Sequence, residues 1–342
     1  MIISIKQMMA MWSKCDLSYN ERCTVLKTFI LSKIMYILNF GRLSKSTIIV
    51  LQKLINNFFW KNRRPSIAFS TLAGKTDAGG LSLPCIKSLV RTLRIKCGLH
   101  LIYGTKPVLW HYYALVTVAG KVYRFIPRLW SNLIPHIENN NLFFFEVAVE
   151  TRRWLSKCVP AQTKLASNSI YWELIEGDIF KVPKCITRIK HLVDVKFFKM
   201  LHESKLPRKI FDVWFNLSHF GLNTRSRTGG NEEGRKCLFC GQPETTYHLF
   251  ISCHFFDRVL NEMFQRVVQL TGKHLRRSFD DIVYLKEITN ISYDPVTRTK
   301  VVQIIGAHIW SVWSTRNMTI GHYRTPDPIV PSRLFISYMK NI

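Results

Sequence analysis

Three cysteines and one histidine stand close enough along the chain to share a single metal ion. They lie in the run CLFCGQPETTYHLFISC, as Cys237-x₂-Cys240-x₇-His248-x₄-Cys253. A Cys-x₂-Cys turn sets two thiolates about one tetrahedral edge apart, and Gly241 permits the tight backbone after it. His248 and Cys253 can close the tetrahedron from a short helical or turn segment. Zn²⁺ accepts such S₃N ligation, and four protein ligands leave no open position for a substrate or a water. The chemistry implied is a structural staple for a unit too small to hold itself by its own core. Cys253 is the preferred fourth ligand. Its neighbour His254 is the rival, although pairing His254 with His248 lacks the stretch of about twelve residues usual between the two halves of a two-Cys, two-His finger.

Other chemistry-bearing patterns fail on inspection. Gly74-Lys75-Thr76 resembles the end of a phosphate-binding loop, yet Phe69 occupies the position of the required upstream glycine. His202-Glu203 begins a zinc-protease pattern whose second histidine position holds Leu206. Phe279-Asp280-Asp281 has the look of a polymerase aspartate pair but lacks the intervening residue, and no third carboxylate stands near for a two-metal site. A solvated acidic pair at a helix start is the expectation there.

Charge is the second signal. The chain has 342 residues, with 49 Lys plus Arg against 22 Asp plus Glu, a formal net charge of +27. Polyphosphate is the usual partner of such an excess, because each neutralised phosphate releases condensed counterions. An anionic membrane surface is the other candidate. Apolar residues make up 47% and aromatics 13%, which argues against wholesale disorder. No uninterrupted apolar run reaches the ~18 residues that span a bilayer, since Lys27 and Lys33 break VLKTFILSKIMYIL. The N-terminus meets Lys6 and Gln7 too early for a secretory core. Nine cysteines, three of them clustered, do not resemble a disulfide framework and suit a reducing compartment.

The elements that must position the site read as helices. Residues 17–39 carry a stripe of Cys23, Leu26, Ile30, Ile34 and Ile37, with Ser18 and Glu21 as a capping box and Arg22, Lys27 and Lys33 off the stripe. A second helix starts near Ser44 and runs to Trp60, with Ile48, Leu51, Ile55 and Phe58 inward. Residues 1–64 hold 11 Lys or Arg and 2 acids, so this pair is about +9. Pro65 ends the second helix through KNRRPS, and GKTDAGGLSLP reads as a turn with a short extended piece near 79–84. Helical pattern resumes at 85–103, and again over 184–220 with a break at Pro207. Residues 223–236 (NTRSRTGGNEEGRK) are the best linker candidate. Further helices are expected at 255–271 and 297–318, and the tail TPDPIVPS is expected to be irregular.

Four separated blocks give the chain a resemblance to the C-terminal part of the reverse transcriptase of non-LTR (LINE-type) retrotransposons. WSKCDLSYNERCTVLKTFILSKIMY is similar to the start of the thumb. INNFFWKNRRPSIAFSTL followed by GGLSLP comes next, in the family's order. LPRKIFDVWFNLSHFGLNTRSR leads into the cysteine run, like the reverse-transcriptase zinc-binding region, and includes the Glu244-Thr245 pair. IWSVWSTRN (309–317) resembles the Trp/Arg-Asn helix that often follows.

The resemblance implies a mainly α chain. Its parts would be a basic thumb-like helical region at 1–64, an irregular and helical connector at 65–170 and a helical region at 171–230. A small Cys3His zinc-knuckle-like unit at 231–275 and a C-terminal helix and tail at 276–342 would follow. It also implies a truncated copy or fragment, not itself an enzyme, because the family's catalytic aspartates would lie before Met1. Without a palm to pack on, Leu43, Phe58, Phe59 and Trp60 are expected to be exposed. The implied role is holding template RNA or target DNA, with one structural Zn²⁺ and no membrane or small-molecule partner, inside the nucleus or cytoplasm. Candidate contacts are Lys27, Lys33, Lys61, Arg63, Arg64, Arg235 and Lys236 for phosphate, and Phe239 for base stacking. The alternative is a non-functional remnant or a zinc-stapled protein-interaction module with no nucleic-acid role.

Overall fold

Apolar residues recurring every three or four positions favour helices, and helix is the regular structure found throughout the described residues. The computed structural model describes residues 2–103, 142–156, 167–179, 181, 195–289, 294–322 and 327–340. The mainly α class holds. Strand pairing among these residues amounts to an isolated antiparallel bridge between Lys236 and Pro243. Two compact units form, one of Met1–Asp16, Glu21–Arg63 and Leu83–Lys181, the other of Leu17–Asn20, Arg64–Ser82 and Val182–Ile342.

The expected helix at 17–39 appears as Tyr19–Val25, a π-helical turn Leu26–Ile30 and Leu31–Phe40, all of it from Glu21 onward in the first unit. The wider turn consumes an extra residue, so its buried stripe runs Cys23, Leu26, Ile30, Ile34, Leu38, and Ile37 is only half-buried. Within the 22 residues Tyr19–Phe40 an 18-residue window reaches a mean hydropathy of 1.4, enough by length and composition to cross a membrane, and a third of that window is buried inside the protein. Lys27 and Lys33 lie within it, so no uninterrupted apolar run of that length is present there.

Ser44 caps the helix Lys45–Phe59, its Oγ accepting from the Thr47 N–H at 3.1 Å. Lys61 and Asn62 both take positive φ, at 49° and 57°, and end that helix before Pro65 is reached. Phe58, Phe59 and Trp60 are 7%, 0% and 8% exposed, which corrects the expectation that they stand open. Leu43 is half-buried. Two buried arginines close helix ends: Arg22 Nη1 donates to Phe59 O at 2.7 Å, and Arg94 Nη1 donates to Leu38 O at 2.7 Å. The helices Ile86–Tyr103, Leu142–Leu155 and Ser167–Asp178 pack through Ile95, Leu101, Val147, Trp154 and Ile170.

The second unit carries the cysteines. Its frame is the helices Arg208–Ser218, Asp257–Thr271, Pro295–His322 and Ile329–Met339, the long 295–322 helix packing on the other three. Val195–Glu203 and Arg208–Ser218 flank the expected break at Pro207; residues 184–194 lie outside the described set. Gly306 lets the long helix approach the start of Arg208–Ser218, since a Cβ there would stand 2.9 Å from Leu206 Cδ2 and 3.0 Å from Ile210 Cγ2.

Two further expectations are corrected here. Residues 79–84 do not run extended: Gly79 and Ser82 take positive φ, at 83° and 52°, and Leu81 N–H bonds back to Leu72 O and Ser82 N–H to Gly74 O. The second half of TPDPIVPS opens the helix Ile329–Met339, which tolerates Pro331 because first-turn N–H groups have no intrahelical acceptor, while residues 325–326 lie outside the described set.

Candidate metal centre

The centre is built from a tight turn and a widened helical turn. Cys237 N–H bonds to Gln242 O at 2.6 Å and Gly241 N–H to Cys237 O at 3.0 Å, closing a knuckle around Gly241, whose φ is 74°. Backbone N–H groups of Phe239 and Cys240 bond to Cys237 Sγ, that of Gln242 to Cys240 Sγ and that of Phe255 to Cys253 Sγ. Such donors favour thiolate over thiol.

His248 and Cys253 are placed by the π-helical turn His248–Ser252, closed by the Cys253 N–H to His248 O bond at 2.8 Å. In an α-helix residues five apart point well away from one another, about 140° around the axis. A turn closed over five residues brings them back to one side, which is why this spacing works. Thr245 starts the turn, its Oγ1 accepting from His248 N–H at 3.0 Å.

The four ligand atoms all lie within 4.8 Å of one another. Cys237 Sγ and Cys253 Sγ are 3.9 Å apart, and Cys253 Sγ and Cys240 Sγ 3.8 Å. An S–S edge of a tetrahedron around a metal at 2.3 Å is about 3.8 Å. Cys240 Sγ to His248 Nε2 is 3.1 Å, a little inside the corresponding edge of about 3.5 Å. Cys237, His248 and Cys253 are buried and Cys240 half-buried. The four residues therefore form a group able to hold a metal ion, and all its cysteines are free thiols. Its fourth member is Cys253. The rival His254 is exposed and turned to Asp257, with Nδ1 3.3 Å from Oδ2.

Electrostatics fit that role. The Cys253 thiol hydrogen-bonds Cys237 and draws it down to about 5 against the cost of burial, while the same bond pushes Cys253 up. Protons held this way are released when a cation takes the sulfurs.

A supporting layer was not apparent from sequence. Glu244, fully buried, accepts through Oε1 from Arg316 Nη2 at 2.9 Å, Arg316 Nε at 3.2 Å and Arg225 N–H at 2.7 Å. Arg316 also donates to Asn223 O at 3.0 Å and lies over the Trp313 ring. The polar stretch 223–236 is thus tied down, against the linker expectation. Widening a helical turn also frees carbonyls, and here Phe250 O takes His308 Nε2 at 3.2 Å while Ile251 O takes Arg277 Nε at 2.9 Å. The Glu244-Thr245 and Arg316-Asn317 pairs were the available signal, though nothing local says that the first glutamate and the arginine meet.

The other motifs settle into packing. His202 packs against Phe211 with tilted rings 5.1 Å apart, and burial holds it down at about 4. Ser278 caps the helix Phe279–Val283, its Oγ accepting from Asp281 N–H at 3.1 Å and donating to the Asp281 carboxylate at 2.7 Å; Asp281 is buried, so the acidic pair at this helix start is only partly solvated.

The candidate nucleic-acid residues fall in both units. Lys27, Lys33 and Arg63 are exposed in the first; Lys61 is half-buried, 3.5 Å from Asp16. Arg64 and Arg235 are exposed in the second, where Lys236 pairs with Glu233 at 2.6 Å. Phe239 stacks on Phe255 with ring centroids 4.3 Å apart. Set against models of known protein families, the chain matches none.

Proposed function

We propose that this chain is a zinc-stapled nucleic-acid-binding module, of the kind found in the C-terminal part of non-LTR retrotransposon reverse transcriptases. The observation that carries the zinc half is the convergence of Cys237, Cys240, His248 and Cys253 within 4.8 Å. Three sulfurs and one imidazole match the structural sites of zinc, which fill all four positions. The ion's contribution is to tie the knuckle to the 248–253 turn; no bond-making chemistry is assigned to it.

The nucleic-acid half is supported by the charge of +27 and by exposed Lys27, Lys33, Arg63, Arg64 and Arg235. In this reading these cations hold the phosphates of template RNA or target DNA, and the protein works inside the cell, in nucleus or cytoplasm. Two measurements test it. Elemental analysis of the full chain should find one zinc per molecule, lost in Cys237→Ser. Affinity for single-stranded RNA or DNA should fall steeply between low and moderate salt. Zinc without any nucleic-acid binding would leave a protein-interaction module or a remnant; absence of zinc would remove the reading at its root.

A further inference from the structure

We infer that the cleft between the helices Asp257–Thr271, Pro295–His322 and Ile329–Met339 binds one nucleotide unit, its phosphate on Arg266 and Lys300 and its base on Leu270, Ile304 and Met339. The inference rests on the nucleic-acid reading above and assigns it a site away from the metal.

The cleft measures about 340 Å³ and is lined by Arg266, Gln269, Leu270, Lys300, Ile304 and Met339, with no acidic side chain among them. That volume lies near the lower end of small-molecule sites, which run roughly 300–1,000 Å³, and suits a single base with its phosphate. Of its lining, Lys300 is exposed, Arg266, Leu270 and Met339 are half-buried and Ile304 is buried. The Arg266 guanidinium is held 5.6 Å over the buried Phe335 ring, which fixes it at the rim before any ligand arrives. Neither Arg266 nor Lys300 forms an ion pair among the described residues, so both charges are available to a phosphate. Gln269 follows Arg266 by one helical turn and offers an amide donor and acceptor to a base edge. Leu270, Ile304 and the polarisable Met339 give a flat base a surface to leave water for. The charge excludes a cation, and the apolar surface of Leu270, Ile304 and Met339 beside the two cations favours a base carrying a phosphate over a wholly polar anion.

The test uses the full, zinc-loaded chain. A fluorescein-labelled single-stranded RNA and a fluorescent adenine nucleotide are titrated by anisotropy. Arg266→Glu with Lys300→Glu should weaken strand binding at least about tenfold, while Lys45→Glu with Lys53→Glu, an equal change of charge in the other unit, should cost less than about threefold. Photo-crosslinking of wild type to a 4-thiouridine strand should label Leu270, Ile304 or Met339, a readout independent of how the variants fold. Equal losses in the two double variants, or crosslinks confined to other segments, would overturn the cleft and leave the wider reading standing. Binding of neither strand nor nucleotide by wild type would overturn both. Capture of the free nucleotide alone, abolished by Arg266→Glu, would uphold the cleft and remove the strand.

Discussion

Glu244 crowds three donors onto one carboxylate oxygen and leaves the other, Oε2, buried with no hydrogen-bond partner among the described residues. An arrangement of this kind is stable only while its cation stays, because an unpaired buried charge keeps its full desolvation cost. Arg316→Met and Glu244→Gln should therefore each destabilise the protein by about 3–5 kcal/mol in urea unfolding, and the double variant by less than their sum. Additive losses would mean that the pair is not coupled. His308 makes a pH-dependent claim of the same kind. Fully buried, it is held down from 6.5 to about 4 by desolvation, against its bond to Phe250 O. Between these values the unfolded chain carries a proton that the folded chain refuses. Stability is then complete above pH 6.5 and falls as pH drops towards 4, by about 1.4 kcal/mol per pH unit for one proton. His202 and His219, also held at about 4 by burial, act in the same sense. Urea midpoints measured from pH 7 to 4.5 should show the slope, and His308→Gln should lower it by about one proton's worth.

Helix contacts in the second unit are set by a missing side chain as much as by those present. A Cβ on Gly306 would meet Leu206 Cδ2, Ile210 Cγ2 and Trp214 Cζ3 at 2.9, 3.0 and 3.4 Å. Alanine is the better helix former by about 1 kcal/mol, but overpacking costs about 1–3. Gly306→Ala should thus be less stable by about 1 kcal/mol in thermal or urea unfolding; a gain would show that the helices part without strain. Sequence pattern does not announce such a contact, and its failures elsewhere share a cause. Ser44 before an apolar stripe is a local signal, and the helix cap it implies is there. The π-helical turns at Leu26–Ile30 and His248–Ser252 carry no composition of their own, and at the second the freed carbonyls of Phe250 and Ile251 are taken by the distant His308 and Arg277. Once a turn widens, the stripe moves from Ile37 to Leu38, although the helix itself was foreseen. The metal ligands were readable because all four lie within one short run. Arg316 was not, because its partner Glu244 stands 72 residues away.

Across the whole chain the metal ligands belong to one unit and much of the basic helical surface to the other. This separation makes the effect of metal removal specific. Structural zinc contributes about 10–16 kcal/mol in isolated finger peptides, where the unfolded state has no site at all. Here the ligand-bearing segment is fastened to the 295–322 helix by the Glu244–Arg316 pair and by His308, so a loosened knuckle carries its loss into that helix. Among the described residues none of the four ligands belongs to the first unit, where Leu26, Ile30, Leu51 and Ile55 are buried. Chelation should raise hydrogen exchange across 237–253 and in the 295–322 helix by several-fold while leaving the amides of Lys45–Phe59 near their starting rates. Exchange by mass spectrometry before and after a chelator, then after zinc is restored, decides the matter. A uniform rise would show one cooperative body unfolding together, and no rise at all would show that the four ligands hold their places without a metal.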